Sequence, residues 1–202
     1  MLSRAARQAP TRLGEGYSAI ELLIAMTIFS VVLGAFMSTV MLMTQTTTVA
    51  GQVAQGATQL RQVFDLLGRS VESASGVNTP TAVGQDLYVE IRTDAEVSGS
   101  AAVCTQFRYR PSAQVIEERT WSTLDDVPTG WRTLASNVIN DVTTQPPFTV
   151  QAADSVHTLP RVIFDVRIRP VGAPETSSSG IYTARNYVAG GPSPVCTEVG
   201  RS

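Results

Sequence analysis

Residues 16–43 read GYSAIELLIAMTIFSVVLGAFMSTVMLM. After Glu21 no charged side chain occurs until Arg61, and the 22 residues from Leu22 to Met43 are predominantly apolar. As a helix rising about 1.5 Å per residue, that run spans about 33 Å, enough to cross a hydrocarbon core of about 30 Å. Residues 1–16 carry Arg4, Arg7 and Arg12 and no sizeable apolar run. Arginines on that side place the N-terminal end in the cytoplasm and predict that the rest of the chain is exported.

A secretory signal peptide has an apolar core of about 7–15 residues followed by a small-residue cleavage site. Here the run is longer, and only Thr48-Val49-Ala50 faintly suggests such a site. A plain membrane anchor fits the length but gives no reason for Glu21. That carboxylate stands at the rim of the hydrocarbon, where an ionisable group is costly and calls for a partner.

Gly16-Tyr17-Ser18-Ala19-Ile20-Glu21-Leu22-Leu23-Ile24-Ala25 resembles the prepilin cleavage motif of type IV pilins and type II secretion pseudopilins. The resemblance implies a leader cut after Gly16 by a prepilin peptidase, an N-methylated Tyr17, and Glu21 as the assembly carboxylate. A physical account goes with it. The freed α-amino group of Tyr17 is a cation at a helix start beside lipid, and Glu21 of a neighbouring subunit can neutralise it. In a low dielectric such a pair is sensitive to register, even where desolvation leaves little net stabilisation. The plainer alternative is a glutamate that simply snorkels to the interface. The family more often has phenylalanine or methionine at the position of Tyr17 and threonine at that of Ser18. No proline falls between Tyr17 and Pro80, whereas many major pilins have one in the apolar stretch, so the resemblance implies a minor subunit.

A chain of 202 residues has room for one domain with a real core plus an extension. The net charge is −2 and the sequence pI about 5.4, which argues against a dedicated nucleic-acid binder. Loss of the leader removes three arginines and Glu15, taking the charge from −2 to −4. All fifteen basic residues are arginine, a matter of codon bias rather than recognition. Cys104 and Cys196 do not make a zinc site, which needs about four ligands. In an exported head a disulfide between them is the expected reading, the alternative being two unpaired thiols, one in a strand and one in a loose tail.

Beyond the apolar run, Val53, Ala57, Leu60, Phe64, Leu67 and Val71 recur at the helical period. The spacing predicts a continuous helix to about Ser75, ended by a left-handed cap at Gly76 with Pro80 following. The glycines at 34, 51, 56 and 68 are places to bend the helix or to let another element approach closely. The head reads as β. Alternation predicts strands around Leu87–Arg92 and Val103–Arg110, a Pro111-Ser112-Ala113 turn into Gln114–Trp121, and the clearest strand at Val162–Arg169. Trp131–Val142 is a strand or a short helical turn, and Ile181–Tyr187 is one candidate last strand. The expected fold class is therefore α+β, pilin-like: a long N-terminal helix packed on an antiparallel sheet. Its parts are a leader at 1–16, a transmembrane and assembly helix at 17–43, an amphipathic continuation at 44–75, and a mostly β head at 76–202. Leu60–Leu67, the Tyr-Arg strand with its hairpin, Leu134–Val138 and the Arg185-Asn186 pair are similar to the PilW-like and J-type minor subunits.

No catalytic residue, cofactor or metal is expected. His157 lies alone in a loop-like stretch with no nucleophile motif nearby. No phosphate-binding glycine loop is present. Asp125-Asp126 gathers too few carboxylates for calcium and reads as a solvated turn. The arginines at 108, 110, 119, 132, 161, 167 and 169 lie near Tyr109, Trp121 and Trp131, an arrangement that suggests a DNA-binding face for an uptake pilus. Strand parity instead makes several of them the outward face of a half-buried sheet, opposite Asp165, Glu117 and Glu118. The expected partners are prepilin peptidase, other major and minor pilins through the N-terminal helix, and the membrane. The expected function is that of a non-enzymatic fibre subunit. An uncleaved, membrane-tethered exported binding or adhesion module is the reading from another class.

Overall fold

The computed structural model describes residues 18–95, 101–189, 195–196 and 199–201. The expected leader, the expected Gly16–Tyr17 cleavage site and the expected methylated amine of Tyr17 lie outside them. The chain divides into two compact units, 1–47 and 48–202. One helix, α1 (Ala19–Glu72), contributes residues to both.

Its start follows from local chemistry. Ser18 precedes the first turn, and its carbonyl accepts from the Glu21 and Leu22 amides at 2.9 and 3.1 Å. Ser18-Ala19-Ile20-Glu21 has capping-box spacing, and the first-turn carboxylate suits the positive end of the helix. At the other end the helix stops at Glu72, followed by a tightened bond from the Ala74 amide to the Val71 carbonyl at 3.0 Å. The expected left-handed cap at Gly76 does not form. Gly76 instead opens strand β1 (Gly76–Val77), and a Cβ there would meet Val195 Cγ1 at 2.6 Å. Close approach of the C-terminal segment, not helix termination, is what requires the glycine.

The second unit is the α+β body. Strand β1 is followed by β2 (Thr81–Val83), β3 (Asp86–Thr93), β4 (Val103–Arg110), β5 (Val115–Ser122) and β6 (Arg132–Ser136), and these form one antiparallel sheet. Its order is β1-β3-β4-β5-β6, with β2 also on β3. The later strands β7 (Phe148–Gln151), β8 (Arg161–Ile168) and β9 (Thr176–Thr183) form a second antiparallel sheet in chain order. The Trp131–Val142 segment is thus a strand at its start, and the last strand begins earlier than expected. Serine and threonine made residues 176–183 look like loop, but eight register pairs with β8 hold them extended.

Both sheets bury their inner faces against residues 56–71 of α1. Leu60, Phe64, Leu67 and Val71 share one core with Leu87, Val89, Phe107, Tyr109 and Ile116 from the first sheet, and with Phe148, Val162, Phe164, Val166 and Ile168 from the second. The buried helix stripe begins at Gly56, with Ala57 exposed, because Ile168 and Pro170 crowd the glycine. At Gly68 an added Cβ would clash with the ring of Tyr182, so the close approach there is to the second sheet. The segment after β6 stitches the sheets together. Tyr109 donates from β4 to the Asn140 carbonyl at 2.6 Å, while the Asn140 side chain donates to the Asp165 carbonyl at 2.7 Å and accepts from the Arg167 amide at 2.8 Å.

Candidate functional site

The first unit presents an unusual surface. Every large apolar side chain from Ile20 to Met43 is exposed on the isolated chain, on all sides of the helix. A helix apolar all round needs a membrane or other helices to cover it. It is long and apolar enough to cross a membrane. Its hydroxyl groups are already satisfied: Thr27 donates to the Ile24 carbonyl, Ser30 to Met26, Ser38 to Gly34, Thr39 to Ala35 and Thr47 to Met43, at 2.8–3.0 Å. The side chains along this run therefore present no unpaired hydroxyl to lipid. Glu21 stands in the first turn, exposed, as the sole charge between Ser18 and Arg61. Gly34 has nothing near its missing Cβ within the chain, so that flank is open to another helix.

The second unit holds a chemistry that strand alternation misread. Strand parity put arginines such as Arg108 and Arg119 on an outward face opposite Glu117, yet all three are buried, as are Glu90 and Gln106. Cross-strand register explains how they meet. Tyr88, Arg108 and Glu117 form one rung across β3, β4 and β5; Glu90, Gln106 and Arg119 form the next; Arg92, Cys104 and Trp121 form the third. Arg108 holds the Glu117 carboxylate at 2.7 and 3.1 Å. Arg119 donates to Gln106 at 2.7 Å, and Gln106 donates on to Glu90 at 2.8 Å. Trp131 lies over both guanidiniums, at 3.9 Å from Arg108 and 4.4 Å from Arg119.

The C-terminal segment covers this face. Cys104 and Cys196 are joined by a disulfide, closing a loop of 92 residues. The Asn78 side chain pairs reciprocally with the Val195 backbone at 2.5 and 3.0 Å. Arg201 grips Glu90 in bidentate fashion, at 2.7 Å for each oxygen, and Arg119 donates to the Gly200 carbonyl at 2.5 Å. Burial works against the charge of Arg108, but hydrogen bonds to Tyr88 and Glu117 outweigh it and raise its pKa. Hydrogen bonding to Glu90 likewise raises that of Arg201, whereas burial and the like charge of Arg108 lower that of Arg119. The signal for this network was present in the parity of Cys104. A disulfide from Cys104 to Cys196 brings Arg201 to the same face as Glu90.

Four further arginines sit against acceptors. Arg132 pairs with Glu118 at 2.6 Å, Arg161 donates to Gln151 at 2.7 Å, and Arg167 and Arg169 converge on Glu175. The Asp154 carboxylate accepts from the Val156 and His157 amides, so that loop is a tight turn built on an aspartate. Asp125 and Asp126 are exposed, and among the described residues no group of three or more His, Cys, Asp or Glu side chains is placed to share a metal ion. Comparisons with protein-family models, with curated proteins and with solved structures each find no match for this chain.

Proposed function

We propose that the chain is the precursor of a minor pilin or pseudopilin, a structural subunit of a type IV pilus or a type II secretion-like pseudopilus. The observation that carries this reading is the Gly16–Tyr17–Glu21 spacing set directly against a helix that is uncharged to Arg61 and exposes all its large apolar side chains through Met43. A prepilin peptidase removes residues 1–16 and methylates Tyr17, and the helix then moves from lipid into a bundle with other pilins. The protein crosses the cytoplasmic membrane once, carries its head on the exported side, and joins a fibre as a priming or tip subunit. It is a substrate of the peptidase and not an enzyme. A head closed by a disulfide, with no free thiol among its described residues, suits an exported location. Nucleic acid is not its expected ligand, since the strand arginines are engaged by carboxylates, amides or rings.

The role of Glu21 is directly testable. A Glu21→Ala chain should lose its leader at the normal rate and yet be depleted from sheared fibres, while the wild-type chain is found in both membrane and fibre fractions. Incorporation of Glu21→Ala at the wild-type level would remove the assembly role from this carboxylate.

A further inference from the structure

The network around Glu90 has a fixed side and a detachable side. On the fixed side, Glu90, Gln106 and Arg119 occupy one rung of β3, β4 and β5 and are 1%, 0% and 6% exposed. Hydrogen bonds from Arg119 to Gln106 and from Gln106 to Glu90 hold the three in place within the sheet. Asn78 adds a carboxamide that donates to Glu90 at 3.2 Å. The C-terminal segment lies on this rung in two parts that are held differently. Val195 and Cys196 are buried with Cys104 and Trp121 in an apolar cluster and are tied down by the disulfide. Beyond them, Val199 packs at the rim of that cluster and is half-buried, as is Arg201, while Gly200 is exposed. Gly200 and Arg201 are held by polar contacts: Arg119 donates to the Gly200 carbonyl, and Arg201 gives one bond to each oxygen of Glu90.

A segment that only had to shield the sheet would do so with apolar side chains, which often match or exceed a buried ion pair in stability. Here a fixed donor reads a main-chain carbonyl and a fixed carboxylate reads the guanidinium one residue later, which is how peptide ligands are recognised. We infer that this face is a binding site for an arginine-bearing peptide, filled within the chain by residues 199–201. Glu90 selects the guanidinium, since its two oxygens match the planar fork of arginine and not the point charge of lysine. Arg119 takes the preceding carbonyl, and Trp131, 4.4 Å from its guanidinium, covers it from the side. Gln106 spaces the two contacts by bonding to both. The chain's own segment competes from within the same molecule, so the site opens when Arg201 leaves while Cys196 stays joined to Cys104. The site lies wholly within residues 78–201 and depends neither on leader cleavage nor on fibre assembly.

The probe is the tripeptide Val-Gly-Arg, acetylated and amidated, at millimolar concentration against full-length chains in detergent. Binding is read by saturation-transfer NMR on the arginine side chain of the peptide. Arg201→Ala empties the guanidinium position and should give a signal several-fold above that of the wild-type chain, which fills its own site. Adding Glu90→Gln to Arg201→Ala should return the signal to the wild-type level, and a Val-Gly-Lys peptide should bind Arg201→Ala several-fold more weakly. Arg201→Lys keeps a cation beside Glu90 and should give an intermediate signal, which reads the site even where Arg201→Ala does not fold. Equal signals from the wild-type, Arg201→Ala and Arg201→Lys chains overturn the proposal. So does a signal in Arg201→Ala that survives Glu90→Gln, because the peptide would then be held somewhere else.

Discussion

Residues 19–43 and 56–71 belong to one helix and are built for different surroundings. In the first stretch apolar side chains point in every direction, none is covered by the chain, and each hydroxyl bonds back to its own helix. In the second, Gly56, Leu60, Phe64, Leu67 and Val71 face one core, while Arg61, Asp65 and Arg69 lie exposed. The contrast teaches that helix formation is the same local event in both. What differs is which medium removes apolar surface from water: the sheets of the head in one case, lipid or other helices in the other.

The largest effects should separate the two stretches. Leu67 is fully buried, and Leu67→Ala should lower head stability by about 2–5 kcal/mol through lost contacts and a residual cavity. Leu33→Ala removes an equally large side chain from the first stretch and should leave head unfolding within about 0.5 kcal/mol of wild type. Thermal melts of the full chains in detergent, followed by near-ultraviolet circular dichroism, read both. A matching loss in Leu33→Ala would mean that the two stretches are not energetically separate.

A smaller effect concerns the tail of the head. Arg201→Ala leaves the Glu90 carboxylate, 1% exposed, with Gln106 and Asn78 as its side-chain donors among the described residues. The expected cost is about 1–3 kcal/mol in the same melts, the range for a hydrogen bond to a charged group whose partner stays buried. Glu90→Gln in the Arg201→Ala background should recover part of it, because the uncompensated charge is gone. No loss in Arg201→Ala would mean that the disulfide and the Asn78 and Arg119 hydrogen bonds suffice to hold the segment on the sheet.

The parts of the fold legible in the sequence are those set by periodicity. The uncharged run gave α1 its apolar half, the 3-and-4 spacing gave Leu60, Phe64, Leu67 and Val71, and strict alternation gave β8 its buried Val162, Phe164, Val166 and Ile168. Short strands such as β1, β2 and β7 carry too few residues for a period. The outer face of the first sheet was misread for a different reason. Alternation reports that two faces differ, and a polar face reads as wet unless something distant covers it. Here the cover comes from residues around Cys196 and Arg201, far along the chain, which no local pattern can place on Glu90. At the N-terminal motif, Glu21 is placed in the first turn of α1, and Gly16 and Tyr17 lie outside the described residues.

The central claim is that the apolar stretch of α1 begins life behind a removable leader. The most direct measurement is the intact mass and N-terminal sequence of the protein recovered from membranes of cells that make a prepilin peptidase. The account predicts a chain that starts at Tyr17 with a methylated amine. A chain that keeps residues 1–16 in the presence of the active peptidase would contradict it.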